Sequence, residues 1–445
     1  MRHRDLTRTI AARALNASGG PSAIRRLLSL VTVPATLALA GAPAAAQVVA
    51  ITGATVHRVS GPPIENGTIV MRDGRLVAVG AGVAIPAGAR RIDAQGKWVT
   101  PGIFSALTTL GLSEVGRLDG TYDASATGNG NGIVASFKLW EGYNPASAWL
   151  QVTRNDGITT VGLVPSGGLL AGQGAVMALS RDGKGLLRAP AAMFGDLNAR
   201  GNQVGGARGE VFQRLRDVLE EARSYPSRRA LVDRNASRPL AARPEDLAAL
   251  APVLARTIPL VLDADRSTDI EAALAIARQY NVRVAVTSAT EGWKVADALG
   301  AAGAYVVVGA LNNIPRSFAT LGARQDNATL LHRAGAKVVI AGGTDAFNAR
   351  NVRYEAGVAV SFGMPWDAAL RAITLTPAEM YGVAARVGSL DVGKDATLVI
   401  WSGDPFEPST RAEQVFVAGN EVQGPSRQDD LMRRYRSLPA DYRKP

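Results

Sequence analysis

The sequence predicts an α/β protein in which a parallel sheet or barrel is flanked by a small β-domain. Three observations carry this. Short strand patterns with tight-turn residues follow Val48, and a similar β-rich piece returns near the other end. Between them, wholly apolar strands alternate with longer helical patterns, which implies a parallel sheet or barrel.

The first element is read as an export signal over residues 1–46. Arg2, Arg4, Arg8, Arg13, Arg25 and Arg26 form a basic region, an apolar run starts at Leu27, and Ala44-Ala45-Ala46 supplies a small-residue cleavage site. The run is short and holds Pro34, which disfavours a membrane-spanning helix. The absence of cysteine excludes a lipoprotein anchor, disulfides, thiolate ligands and a cysteine nucleophile. The expected location is periplasmic or secreted, with no membrane span after cleavage.

The six arginines and Asp5 of this segment contribute +5 of the formal charge of +11, so the remainder carries +6. No dense basic stripe with interleaved aromatics accompanies it, and a nucleic-acid partner is not expected. Apolar residues make up 47% and charged residues 20%, as in ordinary globular proteins.

From Val48, V-A-I-T-G-A-T-V-H-R-V reads as a strand, and T-I-V-M-R-D-G-R-L-V-A-V-G as a hairpin turning at Asp73-Gly74. G-I-T-T-V-G-L-V-P, I-P-L-V-L-D-A-D, V-R-V-A-V-T-S-A, A-Y-V-V-V-G-A and A-K-V-V-I-A-G-G-T-D are the apolar strands that follow. D-I-E-A-A-L-A-I-A-R-Q-Y-N and P-W-D-A-A-L-R-A-I-T are helices between or after them. The Arg-rich piece from Arg223 to Pro244 reads as a surface insertion. D-A-T-L-V-I-W-S-G-D-P and A-E-Q-V-F-V-A-G-N-E-V complete the β-domain, with a tight turn at Gly419-Asn420. The Gly-rich loop around residues 116 to 132 lacks G-x-x-x-x-G-K-[ST] and is no phosphate-binding loop.

Several of these stretches resemble the amidohydrolase superfamily, in its imidazolonepropionase-like branch. They are R-I-D-A-Q-G-K-W-V-T-P-G, Y-N-P-A-S-A-W-L-Q-V-T-R-N-D-G-I-T-T-V, S-G-G-L-L-A-G-Q-G-A-V, and L-R-A-I-T-L-T-P-A-E-M-Y-G-V-A-A-R-V-G-S-L-D-V-G-K-D-A-T-L-V-I-W. The resemblance implies a TIM-like (β/α)8 barrel plus a small composite β-sandwich domain built from both chain ends. The expected boundaries are 47–97 and 388–424 for the composite domain, 98–387 for the barrel and 425–445 for a peripheral tail.

The resemblance also locates a departure in chemistry. Active relatives use a metal to lower the pKa of a bound water from about 15.7 towards about 7, held mainly by imidazoles at strand ends. Where the first strand of relatives carries His-x-His, this chain has Leu107 and Thr109. The fifth-strand ligand position falls on Asp263 and the sixth on Ser288, while Phe347 stands where a related branch often has a further histidine. Asp345 matches the last-strand aspartate that assists the metal-bound water. It reads either as a surviving catalytic acid or as a turn-holding carboxylate.

Asp263, Asp265, Arg266 and Glu291 read either as a polar pocket or as a satisfied ionic cluster. Asn348 and Arg350 read either as ligand-reading residues, Arg350 by its bidentate fork, or as surface loop. Only three histidines exist: His3 lies in the signal, His57 reads as packed or surface, and His332 as facing outward from a helix. No G-x-S-x-G elbow or S-x-x-K tetrad is present.

Three functional expectations follow. One is a non-catalytic binding or partner subunit with no cofactor, whose partner is an active amidohydrolase paralogue or a second copy of the chain, with a small-molecule ligand at Asp263, Arg266, Ser288, Glu291, Asn348 and Arg350. The alternative is a hydrolase of a cyclic amide, dipeptide-like or other C–N bond, acting through a rebuilt carboxylate site that would hold Zn, Mn or Mg. The third is a structural envelope protein.

Overall fold

The computed structural model describes residues 48–436, apart from 117, 127–131, 199–205, 233, 235–237 and 312. The expected signal and cleavage site, His3, part of the Gly-rich loop and the end of the tail lie outside the described residues.

The β-domain is one eight-stranded sheet made by both ends of the described chain. β1 (Val48–Val56), β2 (Ile64–Arg72), β3 (Arg75–Ala81), β4 (Arg90–Asp93) and β5 (Trp98–Pro101) come first; β14 (Leu398–Trp401), β15 (Ala412–Val417) and β16 (Asn420–Glu421) come last. The order is β16-β15-β14-β5-β1-β2-β3, with β4 also on β1. The two ends join where β5 pairs antiparallel with β14, Trp98 opposite Trp401. Ile51, Val56, Ile69, Val99, Leu398 and Phe416 belong to one shared apolar core.

The first hairpin turns at Asp73-Gly74, both with positive φ, as the sequence predicts. The second turns one residue earlier than expected, at Ala418-Gly419, because Val417 still pairs with Asn420. The two turns pack on each other. A Cβ on Gly74 would sit 2.7 Å from the Ala418 carbonyl oxygen, so no larger residue fits there.

The barrel strands follow in sequence order: β6 (Ile103–Thr108), β7 (Ile158–Leu163), β8 (Leu170–Ala178), β9 (Leu186–Asp196), β10 (Leu260–Ala264), β11 (Val284–Ser288), β12 (Tyr305–Val308) and β13 (Lys337–Ile340). The expected TIM-like architecture is present with one irregularity. β8 runs antiparallel to both β7 and β9, whereas the other pairs are parallel. The cause is connection length. Residues 164–169 and 179–185 are too few for a parallel crossover, which needs a dozen or more.

The helices pack outside. The Arg-rich insertion continues helix Arg208–Val232, where buried Glu221 is clamped by Arg228 and Arg238. Inside, Phe104, Ala106, Val261, Ala285, Val307 and Val339 form an apolar column. Tyr381 closes it from below. It is buried, stacks on Phe104 at 5.9 Å between ring centres, and donates its hydroxyl to the Ala106 carbonyl at 2.7 Å.

Candidate functional site at the barrel mouth

The C-terminal ends of the strands define the mouth, where TIM-like barrels carry their chemistry. On β6 the register against β7 slips between Ser105 and Thr108. Leu107 is 9% exposed and joins the interior apolar cluster with Val164, Phe194 and Ala341. Thr109 is buried, and both its N–H and its hydroxyl donate to the Thr344 carbonyl, at 2.7 and 3.3 Å. The first imidazole position therefore carries a packed aliphatic group, and the second a hydroxyl tied to backbone.

On β10, Asp263 is half-buried and accepts from Asn198 Nδ2 at 3.1 Å. Across the ladder it faces Asp196 on β9 and Thr287 on β11. The pleat thus aligns Asp196, Asp263 and Thr287 in one layer. Asn198 links the layer to the next loop, since its Oδ1 accepts from Asp265 N–H at 3.0 Å. Sequence reading missed Asp196, Asn198 and Thr287. The available signal was an apolar run, P-A-A-M-F-G, ending in D-L-N.

Ser288 pairs with Ala264, on the opposite phase of the pleat from Asp263. It is exposed, with φ +66°, and Ala289 follows at φ +42°. Left-handed backbone at two successive non-glycine residues is uncommon, of order 1–3 kcal/mol each. It is held because buried Ala289 donates to the Thr287 and Ala264 carbonyls, at 2.8 and 3.0 Å.

Glu291 is engaged at the start of a helix. It accepts from Ser267 N–H at 3.1 Å and Lys294 Nζ at 2.6 Å, satisfying the first turn of helix Ser267–Tyr280. Burial opposes its charge, yet Lys294 and Ser267 together hold its carboxyl below the usual range. Burial raises Asp265, against the hydroxyl of Thr290 that donates to it at 2.5 Å. Arg266 occupies the N-cap position of the same helix. Asp265, Arg266 and Glu291 therefore gather around one helix start.

Asp345 is exposed and precedes the short helix Ala346–Asn351. Among the described residues its carboxylate makes no hydrogen bond or ion pair; Oδ1 lies 3.8 Å from where a Cβ on Gly116 would stand. Asn348 accepts from Asn351 at 3.1 Å. Arg350 turns away and pairs with Asp156, at the end of helix Ala148–Asn155, at 2.5 Å. Phe347 is exposed, 6.3 Å from Trp149 between ring centres.

His332 is half-buried on helix Asn327–Arg333. His57 is buried just past β1, in tilted ring contact with Trp98 at 4.5 Å and Trp366 at 4.7 Å between centres. Among the described residues no group of three or more His, Asp or Glu side chains is placed to hold a metal ion. The donor set at the mouth, a leucine, a backbone-bound hydroxyl and the half-buried Asp263 and exposed Asp345 carboxylates, does not fit the family's imidazole site.

The sequence profile of the Amidohydrolase family matches residues 241–424. An amidohydrolase of Hapsidospora irregularis is 25% identical over 390 residues, covering 80% of this chain; the match spans 39% of that relative's length. An imidazolonepropionase of Acidiphilium cryptum is 26% identical over 370 residues, 77% of this chain and 89% of that protein. The crystal structure of an amidohydrolase from Thermotoga maritima superposes with a TM-score of 0.76 at 23% identity, over 84% of this chain and 99% of that one.

The family profile, over residues 241–424, and the likeness in fold together support the amidohydrolase superfamily for this chain. The similarity to two imidazolonepropionases supports the imidazolonepropionase-like branch.

Proposed function

We propose that this chain is a non-catalytic binding or partner subunit of the cell envelope that keeps the amidohydrolase scaffold and has given up metal-dependent hydrolysis. One observation carries the reading: Leu107 fills the first ligand position as part of the barrel's apolar interior. A leucine offers no lone pair, and replacing one imidazole by packed hydrocarbon removes both a ligand and the water-filled space a metal needs. The partner in this reading is an active amidohydrolase paralogue or a second copy, and the location is the periplasm or the exterior. The deciding experiment is metal content by mass spectrometry after purification without chelator and soaking with Zn²⁺, Mn²⁺ and Mg²⁺. No stoichiometric metal is expected; a stoichiometric metal lost in Asp263→Asn or Asp345→Asn would overturn the reading.

The second reading is a hydrolase of C–N bonds through a rebuilt site. The names of the relatives favour it, an amidohydrolase and an imidazolonepropionase, as does the unengaged carboxylate of Asp345. It requires Asp345→Asn to abolish turnover of an amide or dipeptide-like substrate. Full turnover in that variant would exclude it.

A further inference from the structure

A concavity lies at the other end of the barrel from the mouth. Leu186 opens β9 and Asp196 ends it, and at the rise of an extended strand the two are about 33 Å apart. The cleft, about 670 Å³, opens between the β8–β9 turn and the β-domain. That volume suits a small organic ligand.

Its walls divide by chemistry. Leu186, 47% exposed, and half-buried Leu187 supply the accessible apolar surface, with Val49, Phe416 and Val417 almost wholly buried behind it. Arg181 and Lys184 project from the turn, with Arg90 and Arg386 opposite. Two of these cations are already matched: Arg90 faces Glu421 at 3.3 Å, and Arg386 holds Asp395 at 2.7 Å. Arg181 donates to the Gln423 carbonyl at 2.5 Å. Among the described residues neither Arg181 nor Lys184 forms a salt bridge. The turn's acid, Asp182, is committed to the Ser180 hydroxyl at 2.7 Å and the Lys184 N–H at 3.1 Å. The turn therefore presents Arg181, with no salt-bridge partner among the described residues, and Lys184, whose neighbouring charge is Asp182, beside an apolar edge.

We propose that this cleft binds an amphiphilic monocarboxylate, its aliphatic body on Leu186 and Leu187 and its carboxylate on Arg181 and Lys184. Charge-assisted hydrogen bonds give direction, and removal of the chain from water supplies most of the driving force. The site is independent of the mouth and of any reaction there.

Isothermal titration of the full chain with decanoate tests this. Saturable binding at one site is expected, absent with acetate, which lacks the body, and with decyltrimethylammonium, which inverts the charge. The double variant Arg181→Met, Lys184→Met should weaken decanoate by about tenfold or more, and Leu186→Ser by several-fold. All three positions are exposed, so the fold should survive, which circular dichroism checks. No saturation at millimolar decanoate, equal binding of the cationic chain, or unchanged affinity in the double variant would each overturn the proposal.

Discussion

The Thr109 hydroxyl and the Thr344 carbonyl meet at 3.3 Å, beside the backbone bond of 2.7 Å between the same residues. The contact fastens the end of the first barrel strand to the segment after the last. A hydroxyl that closes the barrel is doing a different task from an imidazole facing a metal. Thr109→Val keeps the shape and the backbone bond and removes only the hydroxyl. It should lower stability by about 0.5–1.5 kcal/mol in denaturant unfolding. A larger loss would mean that the hydroxyl is central to closure.

Leu107 packs in the barrel's apolar interior. Leu107→Ala should then cost about 2–5 kcal/mol, the range for truncating a buried leucine. A near-neutral result, read from the urea midpoint, would show the position to be a vacant site tolerant of change.

Glu355 is a buried carboxylate beneath the loop after β12. It accepts from the N–H groups of Ala310 and Leu311, both at 2.6 Å. Burial raises its pKa above the ordinary value, against those two donors. Glu355→Ala would leave the two amides unpaired, at about 1–3 kcal/mol for each that stays buried. Glu355→Gln retains an acceptor oxygen and should cost much less. Hydrogen exchange at Ala310 and Leu311 distinguishes the two variants, with faster exchange expected in Glu355→Ala.

His57 makes stability depend on pH. Burial lowers its pKa below 6.5, opposed by Asp404 and Glu65. Among the described residues its Nε2 is buried without a hydrogen-bond partner. The neutral form is therefore favoured in the folded state. Its contribution is complete above 6.5, where neither state is protonated, and is lost as pH falls towards and through the lower folded value, because the unfolded chain takes the proton first. His57→Phe keeps the ring contacts with Trp98 and Trp366 and should flatten the decline in unfolding midpoint between about pH 7 and pH 5. An unchanged slope would assign the decline to other groups.

How far the sequence reached differs between fold and site. The hairpin at Asp73-Gly74 was legible because only a few residues accept two positive φ angles in succession. The direction of β8 was legible in principle, since its flanking connections are short. The absence of imidazoles at positions 107 and 109 needed no structure. Which carboxylates share a layer was not legible: Asp196 and Asp263 are far apart in the chain and become neighbours only through the β9–β10 register. Glu291 and Arg350 show the same limit. Their partners, Ser267 and Asp156, are set by packing between elements.

The sequence by itself determined the β-barrel-β order, the family resemblance and the lack of an ordinary imidazole site, because periodicity, turn chemistry and residue identity are local properties. The tertiary structure alone decided that Leu107 packs into the interior, that Thr109 closes the barrel, and that Arg181 and Lys184 stand beside an apolar cleft. Those facts depend on register and burial, which are fixed by contacts between residues distant in the chain, and no local pattern encodes a distance across a barrel.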